Sequence, residues 1–117
     1  DSQLDSMDVA VGADGDAEVL QPVVAVIPET GKRSLFVNDI YAIRFENMTE
    51  AESKPLLDFL CQQARRPENL CRLIWKPGSV ALWDNRTTIH YAIDDYDGYR
   101  REMHRVTIAG APLQGIQ

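Results

Sequence analysis

Thr87-Thr88-Ile89-His90-Tyr91-Ala92, then Asp97-Gly98, then Glu102-Met103-His104-Arg105-Val106-Thr107-Ile108 is the stretch on which the fold turns. Both flanks are rich in β-branched and aromatic residues, and Asp-Gly is a favoured two-residue hairpin turn. A hairpin closed at Asp97-Gly98 opposes His90 to Arg105 and Asp94 to Arg101. Side chains alternate between faces along a strand, so His90, Arg101 and Arg105 share one face and His104 lies on the other. A bulge or an odd loop length would break that parity. Neutral imidazole is a ligand for iron, zinc or copper, and guanidinium grips carboxylate or sulfonate oxygens in bidentate fashion. Arg101 stands about four residues further along the sheet than His90, on the order of 13 Å at strand rise. A small dicarboxylate and a long arginine side chain can span much of that gap. Two plainer readings stay open. One is a surface hairpin whose arginines pair with Asp94 and Asp97, and the other is a buried, hydrogen-bonded His90.

Upstream the pattern is again mostly β. Leu70 to Trp75 leads through the turn Lys76-Pro77-Gly78-Ser79 to Val80-Ala81-Leu82-Trp83, and Asp84-Asn85-Arg86 breaks the run. Those three polar residues suit a turn held by side-chain-to-backbone hydrogen bonds. Val19 to Ile27, the turn Pro28-Glu29-Thr30-Gly31 and Ser34 to Val37 resemble a hairpin, and Tyr41 to Phe45 alternates as a strand. Between these β regions, Thr49-Glu50-Ala51-Glu52 fits a capping box. Leu56, Phe59, Leu60 and Ala64 recur at helical spacing after it. Pro55 predicts either that Ser53 is the true cap or that the helix bends there. Arg65-Arg66-Pro67 ends the helix, with positive charge at its carbonyl end.

At 117 residues the chain has room for one domain and not for two, and its 44% hydrophobic content is that of a globular protein. No apolar run approaches the roughly 20 residues of a membrane span, no signal or lipidation motif is visible, and the expected compartment is the cytoplasm. The net charge of −6 is uneven. Residues 1–31 hold seven acidic residues and no Lys or Arg, whereas the remainder sets 12 Lys and Arg against 11 acidic residues. No basic stripe suited to nucleic acid appears. Residues 1–20 read as an acidic loop or disordered arm, and 113–117 as a tail. The chain has no initiating methionine, which suggests an excerpt from a longer protein. Cys61 and Cys71 form no CxxC and read as reduced, small hydrophobic residues.

The string Trp83-Asp84-Asn85-Arg86-Thr87-Thr88-Ile89-His90-Tyr91-Ala92, followed by Arg101-Glu102-Met103-His104-Arg105-Val106-Thr107-Ile108, resembles the C-terminal end of the taurine dioxygenase family. These are iron(II)- and 2-oxoglutarate-dependent dioxygenases. Pro22-Val23-Val24, Pro28-Glu29-Thr30-Gly31, Leu35-Phe36-Val37-Asn38, Arg66-Pro67-Glu68 and Trp75-Lys76-Pro77-Gly78 also resemble family segments, in family order. The resemblance implies a mainly β fold with one flanking helix, the C-terminal part of a double-stranded β-helix (jelly roll) over residues 21–112. By the same resemblance His90 is the distal iron ligand, Arg101 binds the distal carboxylate of 2-oxoglutarate, and Arg105 holds the anionic end of a substrate such as an alkylsulfonate, taurine among them, or a sulfate ester. The implied chemistry couples oxidative decarboxylation of 2-oxoglutarate to hydroxylation of a C–H bond, with O2 as oxidant. The implied partners are small molecules, without nucleic acid or membrane, and a homo-oligomer of the whole enzyme is compatible with them.

The family's other two iron ligands form a His-x-Asp motif, and this chain has no histidine before His90. The chain alone is therefore expected to be inactive. A rival reading is a non-catalytic jelly-roll binding module. A self-contained metal site from His90, His104 and Asp94 or Asp95 conflicts with hairpin parity, which sends the two imidazoles to opposite faces.

Overall fold

A computed structural model describes residues 2–12 and 17–116. A single helical turn, α1 (Ser2–Asp5), precedes β1 (Asp8–Val11), β2 (Val19–Pro22), β3 (Val24–Val26), β4 (Arg33–Leu35), β5 (Ala42–Phe45) and α2 (Glu50–Ala64). A 3-10 turn at Pro67–Asn69 follows. The strands form two small antiparallel sheets, one ordered β2-β1-β5 and the other β3-β4. The regular secondary structure is thus mainly β with one full helix laid on it. Among the described residues no helix is long and apolar enough to cross a membrane.

β1 is the central strand of the larger sheet, and its Val9 and Ala10 are wholly buried. It lies inside the acidic stretch that the sequence suggests is a loop or arm; residues 1 and 13–16 of that stretch fall outside the described residues. Four residues of β1 carry too short a pattern to stand out from the aspartates around them, and pairing on both sides supplies what local propensity does not. The segment read as a tail, 113–117, makes a contact with the sheets. Val26 N–H donates to the Gln114 carbonyl at 2.8 Å, so the end of the chain is stitched to β3; Gln117 lies outside the described residues.

The β3–β4 hairpin closes at the expected Pro28-Glu29-Thr30-Gly31 turn, with Gly31 at φ 69°, a conformation that favours glycine. Helix α2 begins at the expected capping box. Thr49 accepts from Glu52 N–H, and the Glu52 carboxylate accepts from Thr49 N–H, both at 3.1 Å. Thr49, not Ser53, is the cap, and Pro55 sits inside the helix. The buried face is Ser53, Leu57, Leu60 and Cys61 rather than Leu56, Phe59, Leu60 and Ala64. Phe59 remains 57% exposed. The reason is a polar anchor: the wholly buried Ser53 hydroxyl accepts the Phe45 backbone N–H at 3.0 Å, which fixes the rotation of α2 on β5. Val9, Val23, Val37, Phe45, Leu57, Leu60 and Cys61 form the resulting core.

From Leu70 to Leu113 the described chain contains no strand. The expected strands at 70–75, 80–83, 87–92 and 102–108 are unpaired, and Trp75, Leu82, Tyr91, Val106 and Ile108 are exposed. Their turns nevertheless form. Ser79 N–H donates to the Lys76 carbonyl, Thr87 N–H to Asp84 and Tyr99 N–H to Tyr96, with Gly78 and Gly98 at positive φ. A turn is closed by neighbours in sequence, whereas an isolated hairpin is marginal in water without a further strand or helix to cover its apolar face.

Ser53→Ala leaves the buried Phe45 N–H without an acceptor. It should lower the unfolding free energy by about 1–3 kcal/mol, measurable by urea denaturation; an unchanged midpoint would mean that the hydroxyl does not anchor α2.

Candidate functional site

Residues 83–90 are organised by hydrogen bonds around one arginine. Asp84 Oδ1 accepts from the Arg86 backbone N–H at 2.9 Å and from Arg86 Nε at 3.0 Å, and Arg86 Nη2 donates to Asp84 Oδ2 at 2.8 Å. Arg86 Nη1 reaches across to Glu29 Oε2 at 3.0 Å. The Ser34 hydroxyl donates to the Arg86 carbonyl at 3.0 Å. Trp83 Nε1 donates to Asn85 Oδ1 at 2.9 Å. The turn of side-chain-to-backbone bonds expected at Asp84-Asn85-Arg86 is present. The Glu29 partner was not legible in the sequence, although both segments stand out there as motifs.

These contacts set the local electrostatics. Hydrogen bonding from the Arg86 side chain, then from its backbone N–H, lowers the Asp84 carboxyl from 3.8 to about 2. Glu29 is also lowered, first by a backbone N–H of its own and then by Arg86. The guanidinium between them is held still more firmly protonated than usual.

His90 is exposed, and its ring centroid lies 4.8 Å from that of the half-buried Trp83 at a 42° tilt. Arg101 is exposed, with its guanidinium carbon 5.4 Å from the Tyr96 ring centroid, within cation–π range. Arg105 is exposed. Neither Arg101 nor Arg105 has a carboxylate partner among the described residues, so the surface pairing with Asp94 and Asp97 is not seen. His90 is not the buried histidine of the other plain reading. The hairpin that would put His90, Arg101 and Arg105 on one face is not formed as paired strands: among the described residues its backbone hydrogen bonds are local, Asp95 N–H to the Ile93 carbonyl and Tyr99 N–H to the Tyr96 carbonyl. His104 lies 3.4 Å from Glu102 and is exposed. Two surface depressions, beside β4 and beside α2, include none of His90, Arg101 or Arg105 in their linings.

A facial iron(II) site needs two imidazoles and a carboxylate. Among the described residues no three His, Cys, Asp or Glu are grouped to hold a metal. Among the described residues His90 stands as a lone donor, and these residues do not by themselves fit an iron site.

The profile of the Taurine catabolism dioxygenase TauD, TfdA family matches residues 2–107, and the chain belongs to that family. It is 41% identical over 98 residues to an alkylsulfatase of Acinetobacter baylyi, covering 84% of this chain and 31% of the relative. It is 40% identical over 99 residues to an alpha-ketoglutarate-dependent sulfate ester dioxygenase of Pseudomonas putida, covering 85% and 33%. The crystal structure of a taurine dioxygenase from Burkholderia xenovorans superposes with a TM-score of 0.68 at 36% identity, covering 73% of this chain and 31% of that one. The chain thus spans about a third of the length of the curated relatives it matches.

A folded pKa below the unfolded one means that the stabilisation is complete above the ordinary aspartate value of 3.8 and is lost as pH falls towards 2. The Asp84 carboxyl carbon, followed by NMR, should titrate near 2 and return to the ordinary range near 3.8 in Arg86→Ala. Identical midpoints in the two proteins would show that Arg86 does not hold this carboxylate.

Proposed function

We propose that the chain is the C-terminal portion of an iron(II)- and 2-oxoglutarate-dependent dioxygenase with a jelly-roll domain, hydroxylating a small anionic substrate. The observation that carries this reading is the family match over residues 2–107, which contains His90 and, after ten intervening residues, Arg101. The relatives named as an alkylsulfatase and as a sulfate ester dioxygenase support a sulfate ester or alkylsulfonate as the substrate class.

In this reading His90 donates one imidazole to iron, and the other donors come from polypeptide outside these residues. The metal supplies O2 activation when bound. What this chain supplies is anion recognition. Arg101 and Arg105 have no carboxylate partner among the described residues, and an unpaired guanidinium is a bidentate receptor for carboxylate, sulfonate or sulfate. Two arginines with two anions to bind divide the work: the distal carboxylate of 2-oxoglutarate on Arg101, the substrate's anionic group on Arg105. The cation–π contact with Tyr96 holds Arg101 without neutralising it.

The test is made in the complete enzyme that carries these residues, with succinate release as the readout. Truncating one side of a desolvated Arg–carboxylate pair costs roughly 2–5 kcal/mol, so Arg101→Ala should raise the KM for 2-oxoglutarate at least about 30-fold. Arg105→Ala should weaken a sulfate ester or alkylsulfonate substrate while leaving 2-oxoglutarate nearly unaffected. Loss of both affinities together in either variant would overturn the division of labour, and undiminished iron(II) binding in His90→Ala would remove that ligand.

The 117-residue chain alone, given iron(II) and 2-oxoglutarate, should release no succinate above a protein-free control. Turnover by the isolated chain would mean that it contains a complete metal site. A complete enzyme that binds both anions yet never turns over would favour the binding-module reading.

A further inference from the structure

Two motifs, Pro28-Glu29-Thr30-Gly31 and Trp83-Asp84-Asn85-Arg86, have no part in the anion chemistry above, yet the structure joins them to each other. Glu29 sits in the turn between β3 and β4, and Ser34 sits on β4. Both reach Arg86, one at its guanidinium and one at its carbonyl, across sequence separations of 57 and 52 residues. The same guanidinium presents Nε and Nη2 to Asp84. A lysine could not make this arrangement, because it is one point charge without a planar fork. The segment is therefore held from both sides: the hairpin grips Arg86, and Arg86 grips the turn that starts at Asp84. Inside that turn Asn85 fixes the Trp83 indole, and the indole ring lies 4.8 Å from His90.

We propose that Arg86 is a positioning residue for His90: with Glu29, Asp84 and Ser34 it clamps the Trp83–Arg86 turn to the β3–β4 hairpin and so fixes the indole against which the imidazole rests. The functional weight of the clamp rests on the role given to His90 above, while its geometry is independent of that role. Arg86 touches no substrate, cosubstrate or metal in this scheme and acts through the turn. The strands on either side of the turn are unpaired, so the clamp supplies order at this point that no ladder supplies.

The experiment uses the 117-residue chain with neither iron nor 2-oxoglutarate. There are two histidines, so His104→Gln leaves a single imidazole to observe. The His90 ring proton signals are then displaced by the ring current of Trp83, and Trp83→Leu gives the undisplaced position. Arg86→Ala should move the His90 signals most of the way to the Trp83→Leu position, while the methyl signals of the buried Val9, Val23 and Leu60 stay where they are. Arg86→Lys, which keeps the charge and loses the fork, should restore the displacement only in part. Glu29→Gln, which weakens the tie to the hairpin and leaves the Asp84 pairing intact, should produce a smaller move in the same direction. His90 signals that do not move in Arg86→Ala, or that move only together with the core methyls, would overturn the proposal, as would full restoration by lysine. Should Arg86→Ala fail to fold, Glu29→Gln decides by the same criterion. No arm depends on turnover, so failure here would leave the dioxygenase reading standing, and failure of that reading would leave the clamp.

Discussion

Every strand presents a row of N–H and C=O groups that must find partners in another strand or in water. That constraint divides this chain at about Leu70. Before it, β1 finds β2 on one side and β5 on the other, and the paired sheet offers Val9 and Phe45 a common face for α2 to cover. After it, the same β-rich composition stands extended without ladders. The difference is not one of propensity, since Thr87 to Ala92 is at least as β-prone as Asp8 to Val11. It is one of available partners. The chain spans about a third of the length of the relatives it matches. The apolar side chains exposed after Leu70 belong to faces that need a second layer.

Legibility in the sequence followed the same division between local and distant partners. The capping box at Thr49 and Glu52, the Pro28–Gly31 hairpin turn and the turns at Lys76–Ser79 and Tyr96–Tyr99 are each closed within a few residues, and each could be read directly. Strand β1 could not, because its place comes from two neighbours and not from its own four residues. The buried face of α2 was read one position askew. Apolar periodicity favoured Leu56 and Phe59, but a serine decided the rotation through a hydrogen bond to a strand eight residues earlier. The candidate site shows the same limit. Family spacing singled out His90, Arg101 and Arg105, whereas their shared face depended on a ladder that is not formed.

Six of the nine arginines fall into two groups. Arg33, Arg44, Arg65 and Arg86 pair with Asp5, Glu18, Asp39 and the Glu29–Asp84 couple. Exposed pairs of this kind contribute about 0–1 kcal/mol each, so the first three tie strand and helix surfaces together without deciding the fold. Arg86 differs in geometry: it joins two carboxylates and a hydroxyl from two distant segments, and bidentate geometry within a network is where surface ion pairs do contribute. Arg101 and Arg105 form the second group. In a chain of net charge −6 with 18 acidic residues, these two guanidiniums, like those of Arg66 and Arg72, stand free of carboxylates among the described residues. That leaves them available to anions from outside.

The two groups meet in the stretch from Trp83 to Arg105. A recognition arginine is useful only if its distance to the reacting atoms is fixed, since misplacement of about 1 Å can cost on the order of a hundredfold in rate. Ladder bonds would normally fix it, and the described residues from Leu70 to Leu113 have none. Ladders set spacing along and across a sheet, but they do not by themselves set where the sheet sits relative to the β3–β4 hairpin. Arg86 ties its own turn to that hairpin, since it meets Glu29 and Ser34 on one side and Asp84 on the other. Charge pairing at Arg86 therefore ties the Trp83–Arg86 turn to the β3–β4 hairpin, and hydrophobic burial in the β2-β1-β5 sheet and α2 holds the body of the fold.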